Sequence, residues 1–284
     1  MVLFLNGMPV VTIELKNQFT GQGAFQAISQ YRTDRDSSAP IFQFSRRTVV
    51  HFAVDKMNAW MTTRLDGPRT RFLPFDQGKE DGSRGNPPIE GTHSTAYLWR
   101  ETWSRDTLLD ILESYATIEH PDETEENRTW SERRKREAGI LIFPRYHQLD
   151  CVRYLLQGVT ENGPGHHFLI QHSTGSGKSY TMAWLAHSLS NFFRSGARAF
   201  GSVLVVTDRV QLDRQLRELV DSIGIHNKVS IAKTTNELRT SLVNGEKIIT
   251  TTLHKFFHLL EKAPPKNLTH DFAVSIDEAH SSYG

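Results

Sequence analysis

Cysteine is nearly absent from this chain: Cys151 stands alone among 284 residues, which excludes an intrachain disulfide framework and suits a reducing cytoplasm. Long apolar runs are missing as well. No uninterrupted stretch approaches the ~20 residues that a bilayer-spanning helix needs, so no membrane is expected to take part. The opening Met1-Val2-Leu3-Phe4-Leu5 lacks the basic flank and small-residue cleavage site of a signal peptide. Neither sign of charge dominates: 33 Lys+Arg against 32 Asp+Glu leave a net +1, which by itself points to no partner, because an anion-binding face can be local. Internal repeats and low-complexity tracts are absent, and residues 1–13 hold no acid. What is present, 38% hydrophobic and 23% charged residues, suffices for real cores and excludes wholesale disorder. At roughly 150 residues per domain the length fits about two.

Asn6-Gly7 lies between two strand-like runs, a strong hairpin signal because a type I′ turn needs positive φ at both central positions. Phe25, Ile28 and Tyr31 then fall at helical spacing, and Ile41–Phe44 and Val49–Val54 read as strands, which together predict a small α/β unit. Residues 66–90 turn to Gly, Pro and charge and read as an ordered loop or insertion. A helix is predicted over Arg105–Thr117 from Leu108, Leu109, Ile111 and Leu112. Acids crowd the front of 119–137 and Arg133-Arg134-Lys135-Arg136 its end, so the stretch reads as a domain boundary. Its basic cluster is read first as a solvated face, with nucleic-acid phosphate as the sharper alternative. From Phe168 onward short apolar runs (168–172, 203–206, 229–231, 248–250, 272–276) alternate with helical patterns, which implies a parallel sheet covered on both faces.

Ser173-Thr174-Gly175-Ser176-Gly177-Lys178-Ser179 follows the predicted strand 168–172 and opens a helix. Glycines let backbone N–H groups turn inward around a phosphate at a helix N-terminus, where the macrodipole favours negative charge. On that reading Thr174 to Gly177 cradle the phosphates, Lys178 neutralises the β/γ oxygens and the Ser179 hydroxyl ligates Mg2+. A Gly-Lys-Ser triplet alone is a modest signal. Asp277-Glu278-Ala279-His280 at the end of the apolar run 272–276 strengthens it: Asp277 can hold the Mg2+ water shell, and Glu278 can polarise the water that attacks the γ-phosphate. The competing reading, an acidic pair capping a strand end, does not explain both motifs in this order.

With these two motifs the chain resembles the first RecA-like motor domain of superfamily 2 helicases and translocases over roughly Ile140 to Gly284. The resemblance implies ATP and Mg2+ as cofactors. It also implies that Gln148 reads the adenine edge, and that Thr207 and Arg209, with Thr251 and Thr252, lie along a DNA backbone.

Strand parity puts Glu14 and Lys16 on one face, and a carboxylate and a lysine two apart suit metal-dependent phosphodiester cleavage, with Glu14 as ligand and Lys16 orienting the water. Taken alone, that spacing is better explained by a surface ion pair. With the hairpin before it, Gln26 and Tyr31 after it, and Met61-Thr62-Thr63, Phe72-Leu73-Pro74-Phe75 and Tyr97-Leu98-Trp99 beyond, the chain resembles the restriction (R) subunit of type I restriction-modification enzymes. That family joins a PD-(D/E)XK nuclease to a DEAH-type motor. The resemblance implies an α/β chain: a partial restriction-endonuclease-like α/β domain with a connecting segment (1–118), a charged linker (119–139), and a truncated RecA-like P-loop domain with a parallel sheet (140–284). It implies ATP-dependent translocation coupled to Mg2+-dependent cleavage of double-stranded DNA, with specificity and methyltransferase subunits as partners, in the cytoplasm. The nuclease family's first aspartate is missing, four residues rather than three separate Gln26 from Tyr31, and a second motor lobe is not included. The fragment is therefore expected to be inactive alone. A motor without a nuclease, and a module that only binds ATP, stay open as alternatives.

Overall fold

The computed structural model describes residues 1–121, 124–208, 216, 219–220, 229–262 and 270–277, with the backbone alone at Gln18 and Lys262. The chain divides into two units, Met1–His147 and Gln148–Gly284. Both are mixtures of helix and sheet, so the chain is α/β.

In the first unit strands β1 (Val2–Leu5) and β2 (Met8–Leu15) pair antiparallel around Asn6 and Gly7, whose φ values of 48° and 79° are the positive pair that the turn demands. Helix α1 (Ala24–Thr33) carries the chain across to β3 (Val50–Val54), which lies parallel to β2, and β4 (Ala59–Thr62) and β5 (Leu73–Pro74) continue antiparallel, giving the order β1-β2-β3-β4-β5. The period-2 alternation of β2 and β3 sorts the two faces. One face packs Tyr31, Ala27 and Ile28 of α1 against Ala53 and Phe72. The other packs Phe52 edge-on to Phe75 and Trp103, at 5.1 and 5.3 Å between centroids. Phe25, expected inward, is 70% exposed. The predicted strand Ile41–Phe44 is a run of turns. Helix α2 (Arg105–Asp110) stops short of its expected end and passes into a π turn, Ile111–Tyr115. The charged stretch 119–139 lies inside this unit: β6 (Thr117–Glu119) pairs antiparallel with β7 (Ile140–Ile142), and α3 (Glu132–Ala138) sits between them in sequence.

Helix α4 (Tyr146–Asn162) crosses from the first unit's end into the second. There α5 (Lys178–Ser190), the hairpin β8 (Phe193–Arg194) and β9 (Ala197–Arg198), and strands β10 (Ser202–Thr207), β11 (Val229–Ile231), β12 (Ile248–Thr252) and β13 (Phe272–Ile276) follow. The four long strands pair in the order β11-β12-β10-β13, all parallel. Every residue of β10 is buried, as a strand covered on both faces requires. Ala183, Ala186 and Leu189 of α5 cover one face over Val203 and Val205. Leu238 and Leu259, from the helices Thr235–Val243 and Leu253–Lys262, cover the other over Leu204 and Val206.

The sheet lacks one predicted strand. Residues 168–172 form no strand, with Leu169 86% exposed. A strand is stable only with a ladder partner, and among the described residues the sheet ends at β13, which pairs with β10 alone. No helix of the described residues is long and apolar enough to cross a membrane.

Candidate functional site

Two groups of side chains match the sequence motifs, one in each unit. In the second unit, Gly175 and Gly177 take φ values of 75° and 85°. A side chain at either position would be strained, so the loop needs glycine in both places. A Cβ on Gly175 would meet open space, whereas one on Gly177 would strike the Gln148 amide. Helix α5 starts directly afterwards, with Gly177 as N-cap and no capping side chain. Its first turn therefore starts without a side-chain cap, an arrangement that suits a phosphate.

The helix also points the right way. Lys247, just ahead of β12, donates its ammonium to Asn191 Oδ1 at 3.4 Å, so the carboxyl end of α5 lies at the amino ends of the strands. Its amino end, with Lys178 and Ser179, consequently faces the carboxyl ends. There the parallel register sets Thr252, Thr207 and Asp277 in one row across β12, β10 and β13, with the Asp277 N–H donating to the Val206 carbonyl at 2.9 Å. Loop, helix terminus and Asp277 thus share the end of the sheet where ligands of parallel α/β folds bind.

Within this site Gln148 has loop partners of its own. Gln148 is 4% exposed and donates its amide to the Ser176 and Gly177 carbonyls at 3.3 and 3.0 Å, so it holds the loop rather than presenting an open edge. His172 stands where a first loop glycine would be; burial, and then the Lys178 ammonium, hold its imidazole below the ordinary pKa. Thr207, Thr251 and Thr252 are 1%, 0% and 5% exposed, and among the described residues the Thr207 and Thr251 hydroxyls have no hydrogen-bond partner. A buried hydroxyl left so costs about 1–3 kcal/mol. Arg209 and Glu278 lie outside the described residues.

In the first unit Thr12, Glu14 and Lys16 share the α1 face of β2, as parity requires. Glu14 does not pair with Lys16. It accepts from Arg35, whose Nη2 is 2.6 Å away, beside a cavity of about 190 Å³ lined also by Met1, Val2 and Tyr31. Lys16 donates to Gln30 Oε1 at 2.7 Å. Beneath them Thr12 Oγ1 is 2.8 Å from the Tyr31 hydroxyl and 2.7 Å from His51 Nδ1. Burial pushes the Tyr31 phenol up and the His51 imidazole down to about 4. Gln26, noted for its spacing to Tyr31, is instead a capping residue: its Oε1 accepts from the Gly23 N–H at 2.8 Å. Sequence reading passed over Gln30 and Arg35, and the only available signal was that Gln30 directly precedes Tyr31 on the helix face that covers β2. A divalent cation here needs more than one carboxylate. Among the described residues no three His, Cys, Asp or Glu side chains cluster to hold a metal, so Glu14 alone does not make the site.

Comparison with known proteins matches each half separately. Residues 147–284 match the SWI2/SNF2 ATPase family, and residues 1–70 match the type I restriction enzyme R protein N terminus. In this order of parts the chain is similar to the type I restriction R subunits. It is 26% identical over 290 residues to the type I restriction enzyme HindI endonuclease subunit of Haemophilus influenzae, covering 99% of this chain and 26% of that protein. It is 24% identical over 288 residues to the SsaAORF53P endonuclease subunit of Staphylococcus saprophyticus, covering 99% and 27%. A Methanocaldococcus jannaschii protein provisionally named as the MjaVIIP endonuclease subunit is 28% identical over 240 residues, covering 78% and 19%. The chain therefore spans about a fifth to a quarter of the length of the relatives it matches.

Proposed function

We propose that this chain is the junction of an ATP-driven DNA motor with a nuclease: a RecA-like ATP-binding lobe (140–284), whose sheet lies in the second unit, and a partial PD-(D/E)XK domain (1–118) in the first, joined through 119–139. One observation carries the reading: a loop forced by Gly175 and Gly177 into the uncapped start of α5, at the carboxyl end of a parallel sheet that ends in Asp277. Thr174 to Gly177 wrap the phosphates of ATP, Lys178 neutralises them, and Gln148 keeps the loop in shape. Ser179 and Asp277 would hold Mg2+, which supplies charge neutralisation at the β/γ bridge, and Glu278 orients the attacking water. Arg209 contacts the backbone of double-stranded DNA, whereas Thr207, Thr251 and Thr252, buried at the strand ends, do not reach it. Within the whole enzyme, specificity and methyltransferase subunits choose the site.

Titrating a fluorescent ATP analogue tests the motor half. Lys178→Ala is expected to weaken binding about tenfold or more, since it removes a full charge from the phosphates; equal affinity in wild type and variant would mean the loop holds no phosphate.

The nuclease half rests on Glu14 and Lys16. The antiparallel register, Val2 with Thr12, would set a residue preceding Met1 in a longer chain opposite Glu14, where a second carboxylate could complete a metal site. Because Glu14 stands alone and is neutralised by Arg35, a motor whose front domain only binds is the second reading. Plasmid incubated with this chain, ATP and Mg2+ is expected to stay intact, and cutting abolished by Glu14→Ala would overturn that expectation.

A further inference from the structure

The basic cluster of residues 133–136 does not simply face solvent. Arg133 and Arg136, one turn apart on α3, line a hollow of about 210 Å³ together with Phe44, Ser45, Arg46 and Glu137. Arg64 reaches the same place from the end of β4. Its guanidinium lies 4.7 Å from the centre of the Phe44 ring and donates to the Glu137 carbonyl at 3.1 Å. Ser45 bends the chain through a left-handed φ of 60°, which places Phe44 and Arg46 on either side of the bend. Two segments therefore line the concavity with three guanidinium groups, and a third segment brings the Arg64 guanidinium beside it.

The only carboxylate lining it is Glu137, which accepts from Arg133 Nε at 2.8 Å. Four positive charges less one negative leave a local +3 in a chain whose total is +1. Like charges gathered this closely repel, and a purely structural cluster would be expected to match its arginines with acids. Guanidinium forks pair with the oxygens of phosphate in a way that an ammonium does not. The groups are also open rather than enclosed: the Arg133 side chain is 71% exposed, and the neighbouring Arg134 lies flat on Trp130 at 4.3 Å. An exposed row of arginines suits an extended polyanion better than a small anion, which a closed pocket would hold.

We propose that Arg46, Arg64, Arg133 and Arg136 form a docking site for the backbone phosphates of double-stranded DNA on the first unit. The identity of the polyanion rests on the reading of the chain as part of a DNA motor; the site itself rests on the convergence of charge. It binds without reading sequence, since the groups present only charge and forks to phosphate oxygens.

Fluorescence anisotropy of a short labelled duplex on the whole chain, without ATP or Mg2+, tests this. Arg46→Gln with Arg136→Gln is expected to weaken binding roughly tenfold and to lower the slope of log K against log salt by about 2, one for each lost phosphate contact. Arg100→Glu, an exposed charge reversal elsewhere on the unit, is expected to leave the slope unchanged. A loss no larger than that of Arg100→Glu, or an unchanged slope in a double variant that melts like wild type, overturns the proposal. Competition by millimolar inorganic phosphate alone as effective as that by duplex also overturns it, in favour of a small-anion site. Duplex binding that depends on Arg46 and Arg136 in a chain that fails to bind ATP would leave this site standing and remove the motor reading. Lys178-dependent ATP binding with duplex affinity indifferent to these arginines would do the reverse.

Discussion

Single side chains in this chain hold the glycine loop and neutralise Glu14, and each can be tested alone. Gln148 donates to two loop carbonyls, so Gln148→Ala is expected to weaken ATP and GTP equally; loss confined to ATP would mean that Gln148 reads the base instead. Gly177→Ala is expected to destabilise the second unit by about 1–3 kcal/mol, because it forces a left-handed residue with a Cβ against Gln148, and urea unfolding measures it. His51 gives a pH dependence with a definite sign. Its folded pKa, pushed by burial to about 4, lies below the unfolded value of about 6.5, so the unfolded chain binds more protons between those limits. Stability is therefore full above about pH 6.5 and falls as pH drops towards 4, by roughly 1.4 kcal/mol per unit. Comparing the thermal midpoints of wild type and His51→Gln at pH 7 and 5 checks this, with the variant expected to lose less.

At the scale of elements, α1 is set by a residue far from it in sequence. Its N-cap is Gly23, without a side chain, so Asp55 at the end of β3 accepts from the Ala24 N–H at 2.8 Å while its other oxygen accepts from Met57 and Asn58. Asp55→Ala is expected to cost about 1–2 kcal/mol through the lost cap, and a smaller drop in the urea midpoint would mean that water takes its place. The hairpin at Asn6-Gly7, helix α1, and the alternation of strands and helices after residue 202 were legible in the sequence, because turn chemistry and apolar period are local properties. The strand expected at 168–172 was not, since an apolar run becomes a strand only beside a partner. Glu14 and Lys16 were legible as a pair on one face. Their actual partners, Arg35 and Gln30, were not, because those depend on how α1 lies across β2.

For the whole molecule, two units with separate cores imply separable responses. ATP binds only the native second unit in the proposed reading, so it stabilises that unit by RT ln(1 + [L]/Kd). Hydrogen exchange is expected to show added protection around 174–190 and 202–207 and none in β1 to β5; equal protection in both would mean that the units respond as one. The sequence by itself determined the glycine loop, its lysine, the acidic pair after an apolar strand and the family resemblance, all short patterns whose chemistry needs only neighbours along the chain. Tertiary structure alone decided that Gln148 braces the loop, that Arg35 neutralises Glu14, and that Arg46 joins Arg133 and Arg136 in one hollow with Arg64 beside it. Those contacts join residues up to about 90 positions apart, and charge and hydrogen bonding act through space, so no local pattern could contain them.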